Sequence, residues 1–250
     1  MPEDRRPLVV IPTYEEAENI DTVLRRARAA APDADVLVVD DGSPDGTADL
    51  AEALGTELGR ITVLRRASKD GLGSAYRAGF EWGLAAGHRT LVEMDADLSH
   101  DPADLPRLLA AVDDGAVLAI GSRYVPGGGI PHWPLHRRLL SRWGNRYVRI
   151  ALDLGVQDAT AGFRAYRAET LEAIDYQTTG ADGYAFQVEM AYRTRQTGGP
   201  IVELPITFSD RVRGTSKMSG RIVAEAMLLV TWWAVRDRVF RRGRRSREDH

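Results

Sequence analysis

The chain has 250 residues, of which 44% are hydrophobic and 28% charged, with a formal net charge of −3 and no cysteine. That length and apolar share suit one packed α/β domain with a small extension and exclude a largely disordered chain. A weakly acidic balance argues against a nucleic-acid binder, and the lack of cysteine removes disulfides and thiolate zinc sites.

The chain starts polar, without an apolar signal segment, and Leu8–Ile11 predicts a strand. Glu15 to Ala31 carries apolar residues at helical spacing (Ile20, Val23, Leu24, Ala27). Val36–Val39 predicts the next strand and Asp45–Leu58 a helix; Ile61–Leu64 and a helix from Ser74 to Ala86 follow. Thr90–Met94 and Val117–Ile120 read as further strands, with a helix over Pro102–Val112 between them. The Gly- and Pro-rich stretch Val125–Pro134 is a loop, long enough to expect a role in function. Helices are expected at His136–Leu152 and Tyr184–Thr197, then a strand at Ile201–Phe208 and a polar loop at Ser209–Ser219. Continuous apolar strands alternating with helices imply an open, largely parallel sheet with helices on both faces.

The last helix mixes Trp232 and Trp233 with apolar residues and leads into the basic run Arg236–Arg247. It reads either as an amphipathic element at a membrane surface or as a core helix with a solvated tail. Its uncharged run Ala226–Val235 is about half the roughly twenty residues a membrane span needs, so no spanning helix is expected. The expected division is a main α/β domain over 1–220, an amphipathic helix over 221–240 and a disordered basic tail over 241–250.

In open sheets of this kind ligands bind beyond the C-terminal strand ends. Polar clusters stand there: Pro12–Glu16, Asp40–Ser43, Asp95–Asp97 and Gly121–Arg123. Asp95-Ala96-Asp97 follows an apolar strand, as a site for a hard divalent cation shared with substrate phosphates would. Alone, such a triplet is more simply a turn or helix cap; its alignment with the other clusters favours the site. Asp40 and Asp41 suit hydrogen bonds to a base or ribose, and they also suit a strand-to-helix turn. The glycines of Lys69–Gly73 suit a ligand loop or a flexible helix entry equally. The dinucleotide fingerprint is missing after the first strand, which counts against an NAD enzyme. Arg211, Arg213 and Lys217 form a basic loop suited to clamping phosphates or to plain solvation. Arg123, Arg137 and Arg138 form a second basic set, suited to a different phosphate. The five histidines show no metal-ligand spacing.

In order and spacing, PTYEEAENI, VVDDGSPDGT, MDADLSHDP, GSRYVPGGG, DATAGFRAYR, GYAFQVEM and DRVRGTSKM resemble family 2 glycosyltransferases of the GT-A fold. Within them the likeness is to dolichyl- and polyprenyl-phosphate mannose synthases, from about Leu8 to Ser219. The resemblance implies inverting transfer of mannose from GDP-mannose to a polyprenyl monophosphate, with Mg²⁺ or Mn²⁺ as cofactor. It implies that Pro12, Tyr14, Glu16, Val39 and Asp41 line a guanosine pocket. Asp95, Ala96 and Asp97 would bind metal and diphosphate, and Arg211 and Lys217 would close over the donor phosphates. Arg123, Arg137 and Ser141 would hold the acceptor phosphate. The expected location is the cytoplasmic membrane face, peripherally, with a separate membrane protein as a conceivable partner. The alternatives are a UDP-glucose-dependent polyprenyl-phosphate glucosyltransferase and a non-enzymatic nucleotide-sugar binder.

Overall fold

The structure is a computed structural model that describes residues 6–181, 183–209 and 227–236. Its elements, in chain order, begin with β1 (Leu8–Thr13), α1 (Ile20–Ala30), β2 (Asp35–Asp40), α2 (Thr47–Leu58), β3 (Ile61–Arg65) and α3 (Leu72–Ala85). They continue with β4 (Thr90–Glu93), a 3₁₀ turn (Pro102–Asp104), α4 (Leu105–Asp113), β5 (Leu118–Ser122) and α5 (Leu135–Ala151). Then come β6 (Arg164–Arg167), α6 (Ala168–Ala173), a 3₁₀ turn (Tyr176–Thr178), α7 (Gly183–Gln196) and β7 (Ile201–Pro205). Residues 227–236 form a last helix, α8.

The strands make one 7-stranded sheet in the order β3-β2-β1-β4-β6-β5-β7. β1 pairs in parallel with β2 and β4, β2 with β3, and β5 with β7. Among the described strands only β6 runs antiparallel, between β4 and β5. Alternate side chains feed opposite layers, as the period of a strand requires. Leu8, Val10, Leu37 and Val39 join the core shared with α3 and α7, and Val9, Ile11, Val36 and Val38 the core under α1, α2 and α4. Helix α3 lies close on the sheet because it carries glycines there: a Cβ on Gly79 would stand 2.3 Å from Val10 Cγ1.

The predicted open parallel sheet is present, with particular departures. The first helix begins at Ile20 rather than Glu15, because side chains capture the preceding backbone. Ser43 Oγ accepts from Glu15 N, Thr47 Oγ1 from Glu16 N and Asp45 Oδ2 from Ala17 N. Glu15 sits at φ 60°, a conformation no helix contains. Strand β6 and helix α6 have no counterpart among the predicted elements. The predicted strand over Ile201–Phe208 ends at Pro205 and continues only as a bridge between Gly129 and Thr207.

Helix α8 buries Val230, Trp233 and Ala234 and leaves Leu228, Trp232 and Val235 exposed. Trp233 stacks on Tyr192 of α7, and Tyr147 Oη of α5 meets Thr231 Oγ1 at 2.7 Å. No described helix is long and apolar enough to cross a membrane. The expected basic tail lies outside the described residues, as do most of the polar loop after Ser209 and the first residues of the expected amphipathic helix.

Candidate active site

Beyond the C-terminal ends of β1, β2 and β4 the described residues enclose a cleft of about 520 Å³. Asp40 stays structural: its carboxylate accepts Thr13 Oγ1 at 2.9 Å, Ser43 N at 2.9 Å and Ser43 Oγ at 2.6 Å. That bracing turns the chain so that Asp41 faces the cleft, beside Pro12, Tyr14 and Glu16. Asp41 receives Arg66 Nη1 at 2.8 Å, and Arg66 Nη2 reaches Ser74 Oγ at the start of α3. Burial pushes the Asp41 carboxyl up, against the pull of Arg66. Lys69 Nζ lies 3.9 Å from the centre of the Tyr14 ring, so the glycine-rich entry to α3 closes over this end.

Asp95, Ala96 and Asp97 leave β4 at the middle of the cleft. Asp95 Oδ1 accepts from Tyr76 Oη at 3.1 Å, and Asp95 N donates to His100 Nδ1 at 3.2 Å. That bond makes Nδ1 the acceptor and puts the neutral ring's proton on Nε2. His100 stacks on Phe163 with ring centres 5.0 Å apart. Tyr76 is fully buried, and burial followed by the charge of Asp95 drives its hydroxyl well above the ordinary value, so it remains a donor. Asp97 Oδ1 accepts from Ser99 N at 3.0 Å, across Leu98 at φ 62°. Among the described residues no three acidic, histidine or cysteine side chains converge as a metal cage. The pair fits a hard cation whose remaining positions are filled by substrate oxygens. Ser99 Oγ on the same turn is buried and unpartnered among the described residues.

Below this pair lies a buried polar layer. Arg164 is 0% exposed and gives its guanidinium to Ala161 O, Ala159 O, Gln187 O and Tyr166 Oη. It thereby fixes the 159–162 loop against α7, bringing Gly162 to the cleft wall, where a Cβ would lie 3.7 Å from Asp95 Oδ2. Glu93 receives Gln187 Nε2 at 2.8 Å, and its burial outweighs Arg164 and pushes its carboxyl up to about 8.

The far end is built around Arg123. Its Nε and Nη2 clamp Asp158 side-on at 2.7 and 2.6 Å, and its backbone N adds a third bond at 3.0 Å. Nη2 also reaches Thr160 Oγ1 at 2.8 Å. Tyr124, Trp133 and Phe208 surround the guanidinium. Burial disfavours the Asp158 anion, but Arg123 outweighs it and holds the carboxyl below its usual range. Glu203 of β7 anchors the loop by accepting Gln157 N and Asp158 N. Arg137 lies 3.7 Å over Trp133, and Ser141 Oγ accepts Tyr124 Oη at 2.6 Å.

The structure thus brings Pro12, Tyr14, Glu16, Asp41, Asp95, Ala96, Asp97, Arg123 and Arg137 into one cleft. Ser141 lies just behind it, in an adjoining pocket. Val39 turns its side chain into the core under α3, as strand alternation requires, and only its backbone is left to meet a ligand at this strand end. Arg211 and Lys217 lie outside the described residues. Sequence reading missed Tyr76, His100, Asp158 and Gln187. His100, Asp158 and Gln187 stand inside quoted motifs, but the partners of Asp158 and Gln187 are too distant in sequence for spacing to show.

A family model described as "Glycosyl transferase family 2" matches residues 8–175. A polyprenol monophosphomannose synthase of Mycolicibacterium smegmatis is 52% identical over 238 residues, spanning 95% of this chain and 90% of its own. An undecaprenyl-phosphate mannosyltransferase of Micrococcus luteus is 55% identical over 230 residues, spanning 92% and 94%. A dolichol-phosphate mannosyltransferase of Pyrococcus furiosus is 36% identical over 239 residues, spanning 92% of this chain and 65% of its own. Among solved structures, a glucosyl-3-phosphoglycerate synthase of Mycobacterium tuberculosis in complex with UDP matches with TM-score 0.67 at 19% identity, covering 92% of this chain and 80% of its own. A mannosyltransferase of Pyrobaculum calidifontis in complex with GDP-Man and Mn²⁺ matches with TM-score 0.64 at 19% identity, covering 94% and 66%. These structural likenesses establish the shared GT-A fold, and the sequence matches establish that the chain belongs to glycosyl transferase family 2.

Proposed function

We propose that the chain transfers mannose, with inversion, from GDP-mannose to the phosphate of a polyprenyl monophosphate. The observation that carries this reading is one cleft with two unlike ends. Asp95 and Asp97 suit a cation and a diphosphate, and Arg123 and Arg137 suit a second phosphate. The names of the relatives at 52% and 55% identity support mannose and a polyprenyl phosphate as substrates. GDP-mannose is the donor that the sequence resemblance implies.

In this reading Pro12, Tyr14, Glu16, Asp41 and the Ala96 backbone hold the nucleoside. The resemblance also assigns Arg211 and Lys217, which lie outside the described residues, to its phosphates. Asp95 and Asp97 would hold Mg²⁺ or Mn²⁺, which when bound supplies charge neutralisation at the leaving diphosphate. Tyr76, kept protonated by burial, orients Asp95. Arg123, locked by Asp158 and three aromatic rings, presents a preorganised cation to the lipid phosphate. That phosphate monoester is largely dianionic at neutral pH, with a second pKa of about 6, and attacks the anomeric carbon without a general base. The bond to GDP breaks with its electron pair as the new bond forms on the opposite face. The enzyme supplies alignment and charge stabilisation.

The lipid has to be met at a membrane surface, and α5 and α8 suit that contact. Leu135, Leu139, Trp143 and Ile150 form an exposed stripe on α5, and Leu228, Trp232 and Val235 one on α8. Arg138, Arg142, Arg146 and Arg149 interleave on α5, as a helix lying on an anionic leaflet requires.

GDP release by the purified protein, with and without polyprenyl monophosphate and with UDP-glucose as a second donor, tests the proposal. Lipid-dependent release from GDP-mannose alone is expected. UDP release from UDP-glucose instead reassigns the donor, and GDP release indifferent to lipid removes the acceptor.

A further inference from the structure

The buried layer beneath Asp95 and Asp97 carries a polar atom that the transfer reaction has not yet used. Gln187 of α7 is 2% exposed and lines the cleft together with Asp95, Ala161 and Gly162. Its backbone O accepts Arg164 Nη1 at 2.8 Å, and its side-chain Nε2 donates to Glu93 Oε2 at 2.8 Å. A planar amide held by its nitrogen arm has its oxygen arm fixed as well. That arm, Oε1, is buried and unpartnered among the described residues. A buried acceptor is costly until a donor reaches it, so such an atom beside a cleft calls for a ligand. Phosphate oxygens cannot serve, because they are acceptors themselves; a hydroxyl can.

The place of Gln187 decides whose hydroxyl. The anomeric carbon is bonded to the diphosphate before transfer and to the lipid phosphate after it, so the sugar ring lies between Asp95 and Arg123. The 159–162 loop spans that interval. At one end a Cβ on Gly162 would lie 3.7 Å from Asp95 Oδ2, and at the other Thr160 Oγ1 accepts Arg123 Nη2 at 2.8 Å. Arg164 ties the loop to Gln187, since the same guanidinium donates to Ala159 O, Ala161 O and Gln187 O. The nucleoside, in this reading, stands away from here, with Tyr14 and Asp41.

We infer that Gln187 Oε1 accepts a hydrogen bond from a hydroxyl of the transferred sugar and so determines which hexose the cleft accepts. The inference rests on the proposed transfer reaction and deepens it. A donor sugar without that hydroxyl leaves the acceptor buried and unpaired, and a site built in this way rejects a deoxy analogue more sharply than packing alone does.

Gln187→Met keeps the length of the side chain and removes both polar arms. kcat/KM is measured in both proteins for GDP-mannose and for each of its monodeoxy analogues, beside the Kd of GDP. Dividing one protein's value by the other's cancels the intrinsic reactivity of each analogue. The variant is expected to lose about thirtyfold on GDP-mannose and almost nothing on one monodeoxy analogue, the one that lacks the partner hydroxyl, with the Kd of GDP unchanged. A second arm needs only the unaltered protein: one GDP-monodeoxymannose is expected to bind at least about tenfold more weakly than GDP-mannose. The same loss on every analogue, a weakened Kd for GDP in the variant, or monodeoxy analogues that all bind as GDP-mannose does overturns the contact and leaves the transfer reaction standing. Failure of the unaltered protein to transfer mannose from GDP-mannose to any polyprenyl phosphate removes the proposed function itself.

Discussion

Asp158→Ala is expected to be among the most costly single changes in the cleft wall. Asp158 is 0% exposed and Arg123 5%. The carboxylate accepts from Arg123 N, Nε and Nη2 and from Thr160 Oγ1. Its removal leaves a guanidinium buried and unpaired, which costs about 3–5 kcal/mol. The aromatic rings around Arg123 stay in both proteins, so they do not alter the difference. Against a total stability of about 5–15 kcal/mol, the variant keeps only a thin margin. Urea denaturation at neutral pH measures it, in a cycle with Arg123→Met. The double variant buries no unpaired charge, so it is expected to be no less stable than Asp158→Ala, a coupling of about 3 kcal/mol. Simple addition of the two single costs would refute the reasoning. Asp158→Asn keeps the shape and loses the charge, and it should raise KM for the lipid phosphate far more than KM for the donor. The carboxyl titrates below its unfolded value of about 3.9, so the stability it confers is present above that pH and lost as pH falls below it.

Glu93 gives the opposite sign. Its folded value of about 8 lies above the ordinary one, so the unfolded chain loses the proton first. Stability should fall by roughly 1 kcal/mol per pH unit from about pH 5 towards 8, and Glu93→Gln should flatten that slope in urea melts. An unchanged slope would remove Glu93 as its source. Gly79→Ala should cost about 1–3 kcal/mol in the same assay, because its Cβ collides with Val10 in a packed layer. A neutral result would mean that α3 can lift from the sheet. Trp143→Ser on α5 should weaken binding to anionic vesicles about tenfold, for the loss of an apolar anchor worth roughly 1–2 kcal/mol, and high salt should weaken it further. Sedimentation with vesicles reads this, and unchanged binding would take α5 off the membrane.

Much of the fold was legible because its strands announce themselves. Leu8–Ile11 and Val36–Val39 are short apolar runs bounded by polar residues, and buried parallel strands need nothing else. β6 was not legible. Arg164-Ala-Tyr-Arg167 is short and charged at both ends, and only folding reveals that backbone carbonyls and a tyrosine absorb the Arg164 charge. The start of α1 was misread for a similar reason: Ser43, Asp45 and Thr47 take its upstream donors from 28 to 31 residues away. At the site, Asp95 and Asp97 could be read from their place after β4. The pairing of Arg123 with Asp158 spans 35 residues, and nothing in local spacing marks it. The motif around Val39 does not show that strand alternation turns its side chain into the core, which the structure does.

The central claim is that the acidic and basic ends of one cleft join a sugar nucleotide to a lipid phosphate. Transfer of radiolabelled mannose from GDP-mannose into organic-extractable lipid, by purified protein with Mg²⁺ or Mn²⁺ and polyprenyl phosphate, tests it most directly, with Asp97→Ala alongside. The account predicts label in the lipid that requires the added cation and falls at least about a hundredfold in the variant, several kcal/mol of lost charge stabilisation. Undiminished labelling by Asp97→Ala, or no labelling by the unaltered protein, would contradict it.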